Sequence, residues 1–420
     1  MNLEMRYFDV SDIQFGSKTS YGGGCLFINR EELIALISED KRLRHVDMEL
    51  ANPGEKTRIT NILDILEPRI NLEHRDYFPG MLGAIRRAGE GTTNVLCGAA
   101  VFEIGSMQGL CGALVDMSGP GAGFTPHSRT HNVCLLTEPS AGLQTVEYGL
   151  ALKAAGLKAS VYLARATLGA APSGMEGFNL DLPRRDLGNL PRVGYLMQLH
   201  SHGDSREPFV YGDNTRRYYP TILHPNEIID GAIVCGHYNI STAIKNSTYT
   251  ILNHPVVLGL HRRHGRELNF KGVVISPEPT SLVEIRRTSM MAAGLLKHVL
   301  QVDGVIITKE GGGHTDVDLM ENCEACEALG IKTVIIDNEW LGPDGSGELP
   351  LLAISPRADV MVSVGNVDGM INLSAMEKIV GGTFMHDLGG DLQQSLHIPL
   401  RFIPNAISQA GFTHLTTEGR

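Results

Sequence analysis

The chain has 420 residues, enough for two or three domains, and its 42% hydrophobic and 20% charged content is that of a globular protein able to build sizeable cores. A net charge of −11 sets an acidic surface against any phosphate backbone, so no nucleic-acid partner is expected. No apolar run approaches the ~20 residues of a membrane span, and MNLEMRYFDVSDIQFG lacks the basic start, apolar core and cleavage site of an export signal; a cytoplasmic chain that touches no membrane is expected.

The first ~120 residues read as β-rich and irregular. YFDVSDIQFG and GGGCLFINR suggest short strands, and the Asn-Pro-Gly turn of HVDMELANPGEKTRITNILDILEPRIN interrupts any regular element. The stretch from Leu96 to Gly123 is too Gly-rich for a good helix and predicts strands joined by tight turns. From about His131 the pattern alternates between α and β. NVCLLTEP (132–139) is a buried strand, and GLQTVEYGLALKAAGLKA is a helix expected to end on a C-capping Gly156, after which VYLARATL returns to strand. A further buried strand runs from Val193 to Leu199. The second half repeats the rhythm with the strands FKGVVIS, DGVIIT, KTVIIDNE and ADVMVSVGN and the helices SLVEIRRTSMMAAGLLKHVLQV and DLMENCEACEALG.

Continuous Val/Ile strands between helices predict an α/β fold: a β-rich N-terminal region (1–125) and two doubly wound, mostly parallel regions (126–240 and 241–420). Ligands of such sheets collect outside the carboxyl ends of the strands, which places the loops Glu310–Asp316, Asp337–Leu341 and Gly365–Asn372 at the functional edge.

Three constellations carry chemistry. His200, His202 and Asp204 lie in H-S-H-G-D at a strand end. Histidines at i and i+2 suit a metal if the strand continues, with His224, His237 or Glu207 as a third ligand. The preferred reading is a polar loop in which His200 and His202 line a substrate pocket. Glu310-Gly-Gly-Gly-His314-Thr-Asp316 joins a strand to a helix, so Glu310, Gly312, His314 and Asp316 are candidates for binding an anionic substrate group; the alternative is a turn in which Asp316 caps the helix. Cys323-x-x-Cys326 sits inside a helix without a second pair, which favours core packing over redox or zinc chemistry. The seven cysteines are otherwise irregularly spaced and read as reduced thiols. His127, Arg129 and His131 receive no assignment, and HRRHGRE (261–267) reads as a solvated helix end, with a docking face for an acidic partner as the sharper alternative.

The runs HPNEIIDGAIV (224–234), TYTILNHPVVLGLHRRHGRELNFKGVVIS (248–276), DGVIITKEGGGHTDVDLMENCEACEALGIKTVIIDNE and VDMELANPGEKTRITNILDILEPRIN together resemble the proprotein of glycine/sarcosine/betaine reductase component B, in order and over nearly the whole chain. The D-proline reductase proprotein is a related second. The resemblance implies a substrate-binding component of an oxidoreductase complex that reductively cleaves the C–N bond of a small amine or amino acid. It also implies internal cleavage before a cysteine, conversion of the new N-terminal residue to a pyruvoyl group, and iminium formation between that ketone and the amine. Attack then comes from a selenoprotein, or a Cys-containing reductase subunit, in an oligomeric assembly.

The chain departs from that pattern in one place. Ser241–Ser247 reads STAIKNS and holds no cysteine; the nearest is Cys235, upstream. Ser241, Thr242 and Ser247 are the candidate carbonyl precursors, a serine leading to pyruvoyl and a threonine to a 2-ketobutyryl group. Asn246–Ser247 is a chemically reasonable scissile pair, whereas Ser241–Thr242 lies nearer the family's cysteine. His254 is a candidate acid–base residue for the elimination, or a turn terminator. Without processing, the alternatives are a metal-dependent hydrolase or isomerase built on His200, His202 and Asp204, and a non-catalytic scaffold subunit.

Overall fold

The computed structural model describes residues 1–105, 107, 112–181, 187–203, 207–238, 245–347, 351 and 353–412. Its first large sheet is built from β1 (Leu43–Ala51), β2 (Thr57–Leu66), β3 (Ala99–Ile104), β4 (Ala113–Asp116) and β5 (His131–Pro139), in the order β4-β2-β3-β5-β1, with the late segment Lys378–Val380 pairing parallel to the start of β2. β3 is buried along its whole length. A smaller mixed sheet joins Gly174–Phe178, Leu3–Asp9, Gly91–Cys97 and Arg69–Asn71.

The 20-residue helix α1 (Thr145–Ala164) packs its Ala151, Leu152, Ala155 and Ala159 face with Leu63, Val101, Val133 and Leu135 of the first sheet in one apolar core. The helix does not stop at Gly156 as its sequence suggests. VYLA continues it, and only Arg165–Thr167 tighten into a 3₁₀ turn. Gly156 instead provides room: a Cβ there would lie 2.2 Å from Oε1 of Glu103, which is buried beneath the helix. The propensity cost of a mid-helix glycine, about 1 kcal/mol, is smaller than the cost of displacing a buried carboxylate.

The second large sheet contains β6 (Arg192–Leu199), β7 (Thr221–Leu223), β8 (Asn269–Pro277), β9 (Gly304–Thr308), β10 (Lys332–Glu339) and β11 (Met361–Asn366), in the order β7-β8-β6-β9-β10-β11. All neighbours run parallel except the antiparallel edge strand β7. The helices that serve this half of the chain include α2 (Thr248–Leu252), α3 (Pro255–Arg263), α4 (Leu282–Gly294) and α5 (His314–Ala328).

Both faces of this sheet are covered. Val257 and Leu260 of α3 pack with Tyr195, Met197 and Ile275, while α4 and α5 bring Ala292, Ala293, Leu319, Cys323 and Cys326 against Leu196, Val274 and Ile307. The two α5 cysteines are thus core residues, and burial pushes the Cys326 thiol up to about 12. The α/β class holds, and the stretch 126–240 is shared: β5 and α1 belong to the first sheet, while β6 is an interior strand of the second. From β6 the chain crosses to β8 on one side and then to β9 on the other, so the winding reverses between β6 and β9. That reversal opens the crevice where ligands of doubly wound sheets sit. Among the described residues no helix is long and apolar enough to cross a membrane.

Candidate active site

Three parallel strands end side by side at this reversal. His200 follows β6, Glu278 follows β8, and Lys309-Glu310 follow β9. Glu310 ties them together: its Oε2 accepts from the His200 backbone N–H at 3.1 Å, and its own N–H donates to Oε1 of Glu278 at 2.8 Å. Oε2 of Glu278 lies 3.7 Å from Nδ1 of His200. Burial, followed by the Glu310 charge, pushes the Glu278 carboxyl well above its ordinary range. Beside this pair the His200 and His202 rings stand 4.0 Å apart and the His202 and His314 rings 4.4 Å apart. Burial lowers both His202 and His314, and the His314 charge lowers His202 further.

The Gly-rich loop is braced rather than open. Lys309, fully buried, reaches Asp316 at 2.9 Å, Asp337 at 3.0 Å and the Gly311 carbonyl at 3.0 Å, and Gln409 donates to the same carbonyl at 2.8 Å. Burial alone would lower the lysine, but the two carboxylates hold it above its ordinary value. Gly312 gives way to the Trp340 indole, 2.8 Å from where its Cβ would stand. Asp316 lies in the first turn of α5, whose N-cap is Gly313, so the alternative in which Asp316 caps the helix does not hold.

Glu310 also reaches toward the segment that departs from the family pattern. Its Oε1 accepts both the backbone N–H and the Nδ2–H of Asn246, each at 3.0 Å, and Lys245 Nζ stands 3.8 Å from its Oε2. Behind that shoulder lies a second buried charge cluster that sequence reading missed. Asp64 on β2 accepts from Thr248 N–H at 2.9 Å and Thr248 Oγ1 at 2.6 Å, and from Lys153 of α1. Lys153 also pairs with Glu103 on β3 at 2.8 Å, and Glu103 faces His237 Nε2 at 3.3 Å. Burial pushes Asp64 up and Lys153 draws it back, whereas Lys153 and His237 overcome burial to hold Glu103 below its ordinary value. Thr248 Oγ1 accepts in turn from the Cys235 backbone N–H at 3.0 Å, so the chain before residue 239 and the chain after residue 244 meet at one hydroxyl. A lysine inside a helix and acids on two separate strands leave no local pattern; only the buried, otherwise apolar runs around them hint at pairing.

A family model described as "Glycine/sarcosine/betaine reductase component B subunits" matches residues 1–418. The chain belongs to this family. It is 37% identical to the glycine reductase complex component B subunits alpha and beta of Acetoanaerobium sticklandii, over the full length of both chains. It is 37% identical to the sarcosine reductase complex component B subunit alpha of Peptoclostridium acidaminophilum, over 91% of this chain and 89% of the relative. It is also 34% identical to the betaine reductase complex component B subunit alpha of that organism, over 91% and 88%. No solved structure matches.

For this component B family member, the candidate residues divide by location. His200, His202, Glu310 and His314 come together at the strand ends. Gly312 and Asp316 stand beside them, already committed to Trp340 and Lys309. Ser241, Thr242 and Asp204 lie outside the described residues. Ser247 is the N-cap of α2, its Oγ accepting from Thr250 N–H at 3.1 Å and sharing a hydrogen bond with Thr250 Oγ1 at 2.9 Å. His254 is sealed in the core beside the Tyr195 hydroxyl at 3.1 Å, and burial lowers it to about 3, so it is an uncharged imidazole at neutral pH. The suggested third metal ligands have other partners: His224 caps the turn at 225–229, His237 faces Glu103, and Glu207 pairs with Arg216. Among the described residues no group of three His, Cys, Asp or Glu side chains is placed to hold a metal ion.

Proposed function

We propose that the chain is the amine-binding component of a reductase complex that cleaves a C–N bond, and that it carries a self-derived carbonyl within 241–247. Support comes first from the family match over residues 1–418. The full-length glycine reductase relatives are named as two subunits, alpha and beta, in one chain of this size, as expected for a proprotein divided internally.

The single observation that carries the reading is the junction at Thr248. It binds Asp64 through both its N–H and its hydroxyl and accepts from Cys235 N–H, pinning both shoulders of residues 239–244 to buried groups. A break between them would leave the two pieces joined, because β6 pairs with β8 and β9 on either side and Lys378–Val380 pairs with β2. Ser247 is needed as a helix cap, which favours Ser241 or Thr242 as the precursor. A ketone in this segment would supply the electrophile that no unmodified side chain offers.

The residues around it have separable tasks. Glu310 holds Asn246 and so positions the carboxyl-side shoulder. Glu278, whose carboxyl burial beside Glu310 pushes well above its ordinary range, is a candidate proton donor at the strand ends. His202 and His314, lowered and neutral at pH 7, accept rather than carry protons. The partner would be a selenoprotein or a Cys-containing subunit that delivers the reducing nucleophile.

Intact mass and denaturing electrophoresis test the reading. Two fragments, with the C-terminal one blocked to Edman degradation and shifted in mass by hydrazine or borohydride, are expected. A single unreactive chain of 45.5 kDa would sink the carbonyl and with it this mechanism.

A further inference from the structure

The edge strands of the two large sheets differ in character. β7 is three residues long and stands between Pro220 and Pro225, and β1, which ends the first sheet, carries Arg44, Asp47 and Glu49. Prolines, charges and short length are the devices that keep a sheet edge from pairing with another chain. β11, which ends the second sheet opposite β7, lacks the first two: between Asp359 and Asp368 the sequence VMVSVGNV holds no charge and no proline. Val360 is 48% exposed and Met361 40%, and Ser363 is exposed beside them.

The register shows which backbone groups are open. The Ile335 N–H of β10 donates to the Val360 carbonyl at 3.0 Å, and Ile336 stands beside Val362. Backbone groups alternate in direction along a strand, so Val360, Val362 and Val364 turn theirs to β10 while Met361 and Ser363 turn theirs outward. The outward N–H and C=O groups of Met361 and Ser363 have no partner among the described residues. The next outward N–H, that of Gly365, is taken by Ser363 Oγ at 3.1 Å, and Gly365, at φ +113°, bends the strand where its register with β10 shifts.

We propose that this edge pairs with β11 of a second copy of the chain, antiparallel and about a two-fold axis at Val362. That register is self-complementary. Met361 faces Ser363 of the second copy, and each such pair exchanges both of its N–H···O bonds. On one face Val360 packs against Val364 of the second copy and Val362 against Val362, a ladder of β-branched pairs that covers the exposed Val360. Asp359 falls opposite Gly365, so no like charges meet. A different protein would have to bring a matching uncharged strand, whereas a second copy brings it by symmetry. The antiparallel relation turns the carboxyl ends of the two sheets to opposite sides, so the crevice between β6 and β9 stays open in each copy. The pairing holds whether or not the chain is cleaved internally.

Sedimentation velocity of the full chain from about 1 to about 100 µM tests the pairing, and a species of twice 45.5 kDa that dissociates on dilution is expected. Ser363→Pro removes an outward donor and leaves the ladder with β10 intact, and Met361→Lys sets like charges on diagonal neighbours across the axis. Each should weaken dimerisation at least about tenfold. Met361→Glu should do the same alone, and an equimolar mixture of Met361→Lys and Met361→Glu should pair again, which a merely structural role for Met361 would not produce. A chain that is monomeric throughout the range would overturn the proposal and leave the edge to a strand of another protein. A dimer that all three variants leave intact, or a mixture of the two Met361 variants that stays monomeric, would place the contact elsewhere and overturn it as well.

Discussion

Lys153 and Lys309 are two buried lysines, each closed between two carboxylates, on opposite sides of the chain's cleavage candidates. Lys309 draws its partners from nearby: Asp316 is seven residues on, Asp337 lies near the carboxyl end of the next strand, β10, and the Gly311 carbonyl lies within the same loop. Lys153 draws Asp64 and Glu103 from two strands of a different layer. The first cluster braces a loop that any doubly wound sheet would have. The second ties a helix, two strands and the Thr248 shoulder into one point. A local cluster stiffens what is already formed, whereas a long-range one holds separate parts of the chain in register.

The largest effect should come from the second cluster. Lys153→Met leaves Asp64 and Glu103 uncompensated in the core, and a stability loss of about 3–5 kcal/mol is expected in urea unfolding. A loss below about 1 kcal/mol would mean that one of these acids is already protonated, and the parallel with Lys309 would break. Gly156→Ala forces a Cβ to within 2.2 Å of the Glu103 carboxylate and should cost about 1–3 kcal/mol. Gly312→Ala, where the obstacle is the Trp340 ring at 2.8 Å on a loop able to shift, should cost less; the reverse order in thermal melts would show that the long-range cluster is the more yielding one.

Acid should also separate the buried histidines from the site histidines. His254 and His127 are lowered to about 3 and about 4 by burial, so the unfolded chain binds more protons than the folded one below its ordinary value of about 6.5. Their stabilisation is complete above about pH 6.5 and falls by about 1.4 kcal/mol per pH unit for each histidine as pH drops toward the folded values. His254→Phe should therefore reduce the acid slope of unfolding free energy by about that amount between pH 6 and 4; an unchanged slope would place His254 in contact with water. The smallest effect belongs to Ser247→Ala. Loss of its cap on α2 should cost about 1 kcal/mol and leave internal cleavage intact, as mass spectrometry would show. Abolished cleavage in that variant would return Ser247 to the role of precursor.

Much of the second sheet was legible because its strands are continuous apolar runs whose burial on both faces follows from helices between them. The Glu310–Asp316 loop was legible for the same reason, since a strand end and a helix start fix its place. Other features misled. Gly156 reads as a helix stop because propensity is local, but a buried carboxylate overrode it. Asp316 reads as a candidate substrate-binding residue, with a helix cap as the alternative, and is an ion-pair partner of Lys309. Asp64, Glu103, Lys153 and Glu278 gave no signal, because their meaning lies in partners tens to hundreds of residues away.

The sequence by itself determined the family, the α/β class, the strand ends that carry His200 and Glu310, and the chemistry open to a segment with hydroxyls but no cysteine. Those properties depend on residue type, short-range periodicity and order along the chain. Only the tertiary structure decided that Ser247 is a cap, that His254 is core, and that Thr248 closes the gap between Cys235 and Asp64. These depend on distances between chain segments, and folding sets those distances through burial of apolar faces that must then accommodate whatever charges they carry inside.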